Sequence, residues 1–150
     1  MKKNYSRFTP CLFFVILILL SACTQPTATP MAYPTPLPEN TTVVGRVVNT
    51  SDEPYAELTI RLAEVYYSDE DPTEGAYVLD TAFSPSAVTD QDGNFIFENI
   101  TVMDYVLVLG NPDSAYKIIE DDNAKAKVWK TEAGKVLDVG EIKLDFDFTP

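Results

Sequence analysis

Histidine is absent from this chain of 150 residues. Its absence removes every Ser–His–Asp arrangement, every imidazole metal ligand and the commonest general acid or base at neutral pH. Cysteine is nearly as scarce. The two present, Cys11 and Cys23, both fall in the first 23 residues, so no disulfide framework braces the remainder of the chain. Basic side chains number 11 against 23 acidic ones, a formal net charge of −12. A phosphate backbone needs clustered Lys and Arg to displace its counterions, so this balance argues against nucleic acid as a partner. Serines are present, but with no imidazole beside them they lack the usual activating base. Carboxylates abound, and abundance by itself is no sign of a catalytic pair. The expectation is a protein that is not an enzyme and carries no cofactor.

The N-terminus has its own logic. Lys2, Lys3 and Arg7 form a short basic segment, followed by ten apolar residues from Cys11 to Leu20. Ten residues are half the roughly 20 that cross a bilayer as a helix, so the run suits a secretory signal better than a membrane span. Leu20-Ser21-Ala22-Cys23 resembles the lipobox of bacterial lipoproteins, with small residues before an obligatory cysteine. That resemblance implies cleavage after residue 22, lipidation of Cys23 and anchoring on the extracytoplasmic face of a bacterial membrane. Two or three acyl chains exceed what stable anchoring needs. Residues 1–22 hold three basic groups and no acid, so residues 23–150 carry 8 basic against 23 acidic side chains, a net −15. Such a surface is repelled by anionic headgroups.

Residues 23–40 read as a stalk. Pro26, Pro30, Pro34, Pro36 and Pro38 disfavour helix and central strand and favour polyproline II. At about 3.1 Å per residue this segment holds the domain as much as ~50 Å from its anchor.

From residue 41 to 150 the periodicity is two. Val43, Gly45 and Val47 share one strand face and Arg46 the other; Leu58, Ile60 and Leu62 alternate with Glu57, Thr59 and Arg61. Tyr77 to Thr81 and Ala87 to Thr89 are shorter candidates. Asp92-Gly93 is a strong turn signal, with Gly93 expected at a left-handed position joining two paired strands, after which Phe95 and Phe97 point inward and Ile96 outward. Tyr105 to Leu109 is apolar throughout, as in a strand buried on both faces. Lys125 to Lys130 and Val136 to Leu144 complete the set, and the tail Asp145-Phe146-Asp147-Phe148 extends the last alternation along an edge. A short helical turn fits only within residues 113–124. About seven short strands predict an all-β, antiparallel sandwich of immunoglobulin-like architecture.

Gly45-Arg46-Val47, Pro54 to Leu62, the string Thr89-Asp90-Gln91-Asp92-Gly93-Asn94-Phe95-Ile96-Phe97, Tyr105-Val106-Leu107 and Val139 to Leu144 together resemble the carboxypeptidase regulatory-like domain. The resemblance covers roughly residues 42–145 and implies a transthyretin-like seven-stranded sandwich with a non-catalytic binding or structural role. The family often carries glycine where this chain has Glu57, and usually glycine where it has Asp104.

Three groups of candidate site residues remain. Asp90, Asp92 and Asn94 place oxygen ligands at alternate positions, like the start of a calcium loop, but Phe95 and Thr101 stand where that loop needs glycine and a bidentate glutamate. A plain turn accounts for the same residues. Asp69, Glu70, Asp71 and Glu74 make an acidic loop, either a solvated connection or the meeting point for a basic or cation-bridged partner. Tyr66, Tyr67, Tyr116 and Trp129 form a sugar-stacking platform if exposed, or core packing if buried. The partner expected at the cell surface is therefore a protein or a glycan, and the acidic loop is the expected point of contact.

Overall fold

The computed structural model describes residues 33–71, 73 and 75–148. Cys23 and the signal and lipobox residues lie outside them, as does Glu74. Nine strands follow one another, with no helix among the described residues: β1 (Asn40–Asn49), β2 (Thr59–Tyr67), β3 (Gly75–Val78), β4 (Ser86–Val88), β5 (Asn94–Thr101), β6 (Asp104–Gly110), β7 (Tyr116–Ile118), β8 (Val128–Lys130) and β9 (Val136–Leu144). They form two sheets. One has three strands in the order β5-β1-β9; the other has six, β3-β2-β6-β7, with β4 also on β2 and β8 also on β6.

The core between the sheets is the one the alternation predicts. Val43 and Val47 of β1, Phe95 and Phe97 of β5 and Ile142 of β9 meet Ile60, Leu62, Tyr105, Leu107 and Leu109 from β2 and β6. The Phe95 and Phe97 rings pack edge to face at 5.8 Å. Gly45 is required opposite them, since a Cβ there would stand 2.7 Å from Phe95 Cζ and 2.5 Å from Val139 Cγ2. Buried Tyr105 donates its hydroxyl to the Thr101 carbonyl at 2.7 Å, and burial pushes that phenol up to about 12. Thr89 ties the loop before β2 to the loop after β4: its Oγ1 accepts from the Leu58 N–H and donates to the Tyr55 carbonyl.

Four expectations are corrected. There are nine strands, not about seven: the eight segments read as strands each carry one, the short β3 and β4 included, and the stretch read as a possible helical turn contains β7, which covers the end of β6. The sandwich is not wholly antiparallel, since β9 pairs with β1 in parallel. The chain crosses from β8 to the other sheet at the end where β1 begins, so β9 must run the same way as β1. Gly93 does hold a left-handed conformation (φ 80°), but its turn joins strands of different sheets rather than a paired hairpin. Residues 145–148 do not prolong β9; Phe148 turns across the end of the sandwich onto Tyr55, ring centroids 5.4 Å apart, and Tyr55 donates to the Phe146 carbonyl.

Register places the loops. The start of β1, the end of β5, the start of β6, the end of β2 and the start of β9 share one end of the sandwich. The stalk residues Leu37 and Asn40 dock there, onto Asn99: the Leu37 N–H and the Asn40 Nδ2 reach its side-chain and main-chain oxygens at 2.8 and 2.7 Å. The acidic loop after β2 is at that same end.

Glu57 sits at φ 59°, a left-handed backbone that costs a residue with a Cβ about 1–2 kcal/mol. Replacing it with glycine recovers part of that after glycine's own entropic cost. Glu57→Gly should therefore raise unfolding free energy by about 0.5–1 kcal/mol in chemical denaturation. Phe97→Ala should lower it by about 3–5 kcal/mol, because the core cannot close over the lost ring.

Candidate functional site

The two outer faces of the sandwich differ in chemistry. Along the three-stranded sheet the outward positions mix charge with buried valines: Arg46 Nη1 pairs with Glu141 at 2.9 Å and Lys143 pairs with Asp52, beside Val44 and Val48 of β1. The outer face of the six-stranded sheet is apolar. Ala63 and Val65 of β2 and Val106 and Val108 of β6 form a second buried cluster there, flanked by Leu79, Ile118 and Ala126. No further layer lies on it among the described residues, so its edges stay open to solvent.

Two grooves occupy this face. The larger, about 570 Å³, is floored by Val65 and Val106 and walled by Tyr67 and Tyr77 on one side and Lys125, Ala126 and Val128 on the other. The smaller, about 280 Å³, runs between Tyr77, Leu79, Thr81, Pro112, Tyr116 and Ile118. Tyr77 borders both. The larger groove is within the size range of small-ligand sites, and the smaller lies just under it.

Register explains why these tyrosines converge. Tyr67 stands opposite Gly75, and Val65 opposite Tyr77, on antiparallel β2 and β3. Residues two apart share a face, so Tyr67, Val65, Gly75 and Tyr77 all point the same way. Tyr116 joins them from β7, opposite Gly110 at the far end of β6. Tyr67 leans over Gly75, where a Cβ would come within 3.1 Å of its Cδ1 and Cε1. Its hydroxyl donates to the Asp104 carboxylate at 2.6 Å. That hydrogen bond, with partial burial and the carboxylate's charge, holds the Tyr67 phenol above its ordinary value of 10.0, so it remains a donor at neutral pH.

The predicted platform is thereby split. Tyr67 and Tyr116 share the open face, 43% and 46% exposed, whereas Trp129 faces the core at 9%. Tyr66, 51% exposed, points to the opposite side of β2 from Tyr67 and donates its hydroxyl to Glu64. Tyr77, also 43% exposed, was missing from the expected set. Its signal was the register itself, legible only once β3 is paired with β2.

The acidic positions are turn-builders. Ser68 Oγ accepts from the N–H groups of Glu70 and Asp71, and Asp71 accepts from Thr73 through both N–H and hydroxyl. These bonds hold the Asp71 carboxyl below its ordinary value. Asp69 and Glu70 are exposed beside them. Asp90 works the same way, accepting from the N–H groups of Asp92 and Asn94 and from the Asn94 amide. Burial raises its carboxyl, but those hydrogen bonds outweigh burial and leave it lowered. The Asp90 oxygens are thus engaged within the turn, and among the described residues no group of three or more His, Cys, Asp or Glu is arranged to hold a metal ion. Ser114 and Lys117 have the Ser-x-x-Lys spacing, which sequence reading missed. They run from a turn into β7, not along one helix face, and Lys117 Nζ lies 3.7 Å from Glu120.

No family model matches the chain, and no curated protein matches it. Solved structures are similar in part. A chain of a type II cohesin–X–dockerin complex from Acetivibrio cellulolyticus is 19% identical with a TM-score of 0.39, over 67% of this chain and 52% of that one. A "putative carbohydrate binding protein" from Pseudomonas aeruginosa is 15% identical, TM-score 0.43, over 73% and 92% of the two chains. A 9R-lipoxygenase from Cyanothece is 12% identical, TM-score 0.38, over 79% of this chain and 18% of that one. This chain thus spans about half the length of the cohesin-complex chain. Likenesses this distant assign neither site nor activity.

Because Asp90 titrates below its ordinary 3.8 when folded, its cap gives stability that is complete above that value. The contribution disappears as pH falls through the lower folded-state value. Denaturation from pH 6 down to pH 3 should show wild type losing more stability than Asp90→Asn, which has no charge there to lose.

Proposed function

We propose that this protein is a lipid-anchored, non-catalytic binding module on the extracytoplasmic face of a bacterial membrane. Its ligand surface is the outer face of the six-stranded sheet. The observation that carries the reading is that face itself: an apolar floor with no further layer over it among the described residues, rimmed by three half-exposed tyrosines around two grooves. Tyr67, Tyr77, Tyr116 and Val128 together expose apolar surface along those grooves, and such a patch on a soluble monomer marks a binding site. The carboxypeptidase regulatory-like resemblance supports a binding or structural role. Neither groove has an imidazole or a thiol among its described lining residues.

The point where the chain enters the domain favours the sheet face over the acidic loop. Leu37 and Asn40 dock at the Asn99 end, which is also the end that carries the Ser68–Asp71 loop, so the described chain enters beside the loop. The Leu20-Ser21-Ala22-Cys23 box supports the anchor.

Two measurements test the reading. Metabolic labelling with a fatty acid should mark wild type and not Cys23→Ser, which should leave the membrane fraction or persist as precursor; an unlabelled wild type removes the anchor. Purified full-length protein should sediment with isolated envelope polymers, and Tyr77→Ser with Tyr116→Ser should abolish this while the melting temperature holds. Sedimentation that survives those changes but is lost with Asp69→Asn, Glu70→Gln and Asp71→Asn would move the ligand surface to the loop.

A further inference from the structure

We infer that the ligand of this face is an uncharged glycan chain, stacked in turn on Tyr67, Tyr77 and Tyr116; the inference rests on the reading of that face as the binding surface.

The tyrosines are placed for stacking. Tyr67 is held at both ends, its ring leaning on Gly75 and its hydroxyl bound to Asp104. A ring fixed in this way loses little conformational freedom when a ligand lies on it, which favours binding. Tyr77 borders both grooves, sharing the wall of the larger one with Tyr67 and lining the smaller one together with Tyr116, so the two grooves link the three rings. A pyranose presents a flat patch of C–H groups ringed by hydroxyls. Tyrosine matches it with an apolar ring face, and Thr81 lines the smaller groove with a further hydroxyl-bearing side chain.

Charge narrows the ligand. In a chain with 23 acidic side chains, neither groove has a carboxylate among its described lining residues. A cationic ligand would find no counter-charge among the described residues that line the grooves. An anionic polymer would approach a body of net −15 and meet one lysine, Lys125, at the larger groove. Repulsion at that ratio disfavours it. What fits is neutral. A fully apolar ligand such as an acyl chain calls for an enclosed cavity, whereas these grooves are open along the sheet. A proline-rich peptide is neutral as well, but its recognition uses ring N–H or O–H donors aimed at backbone carbonyls. The single tryptophan faces the core and the Tyr67 hydroxyl is already spent on Asp104, which leaves such a peptide two ring donors, the Tyr77 and Tyr116 hydroxyls.

The test is calorimetric titration of full-length protein in detergent with neutral gluco-, manno- and N-acetylglucosamine oligosaccharides of two to eight units. A proline-rich peptide and a polyuronate run in parallel. Affinity for one neutral series should rise with chain length until the three rings are spanned. Tyr77→Ala should weaken it at least tenfold and Tyr77→Phe should leave it nearly unchanged. Asp104→Asn should weaken it a few-fold by loosening Tyr67, and Tyr66→Ala, on the other side of β2, should do nothing. Thermal melts confirm that each variant is folded. Failure of every neutral glycan overturns the inference. If the peptide or the polyuronate then binds and is lost on Tyr77→Ala, the face is right and the ligand class wrong. If binding of any probe is indifferent to Tyr77→Ala and Tyr116→Ala, the face itself is wrong.

Discussion

Five consecutive apolar residues in one strand, Tyr105 to Leu109, constrain this molecule more than any other feature. In a strand successive side chains point to opposite faces, so such a run must be buried on both. Tyr105, Leu107 and Leu109 find their cover in the three-stranded sheet. Val106 and Val108 face the other way, where no further layer lies among the described residues, and are nonetheless buried. Their cover comes from neighbours in the same sheet: Ala63 and Val65 beside them, and Leu79, Ile118 and Ala126 folded in from the margins. A floor covered only from its margins leaves grooves between the covering side chains. The candidate site is thus a consequence of the way the sheet solves its own burial problem.

Part of the acidity has a similar local origin. Asn49, Asp71, Asp80, Asp90, Asn111, Asp121 and Asp138 each accept a hydrogen bond from the backbone N–H two residues on. Short polar side chains that satisfy a turn in this way stand in for the missing ladder bonds of the reversing chain. A fold of nine strands with short connections needs many such turns, and aspartate serves most of them. Five of the 23 acidic side chains therefore mark reversals of the chain and say little about what it binds.

The inward residues of β1, β2, β5, β6 and β9 were legible in the sequence because period-two alternation is a direct signature of a half-buried strand. Trp129, which the sequence left open between platform and core, faces the core. β7 escaped because Tyr116-Lys117-Ile118 is too short to show a period and is flanked by turn-forming Asp and Asn. It is a strand only because the end of β6 offers it an open edge. The parallel direction of β9 escaped for another reason: pairing direction depends on which end of the sandwich the chain crosses, and no local pattern encodes that. Tyr77 belongs with these. Its place beside Tyr67 is a property of the β2–β3 register, and its composition looks like that of any weak strand.

Glu57 and Asp104, the two positions where the resemblance to the carboxypeptidase regulatory-like domain leads one to expect glycine, show how a single kind of departure has opposite consequences. At Glu57 the backbone keeps the left-handed conformation that glycine tolerates, so the side chain brings strain. That side chain is exposed, and among the described residues its carboxylate has no hydrogen bond or ion pair to offset the strain. Asp104 is the first residue of β6, in extended backbone that any residue adopts, and its carboxylate receives the Tyr67 hydroxyl. Held there, Tyr67 covers Gly75 and one end of the Val65–Val106 floor. The carboxylate could not do this from the opposite face of β6, and it would have nothing to hold if position 67 were aliphatic. A side chain in place of glycine is thus a cost at a turn and a support within a strand, and the support falls at the one end of the sheet where an aromatic ring guards the larger groove.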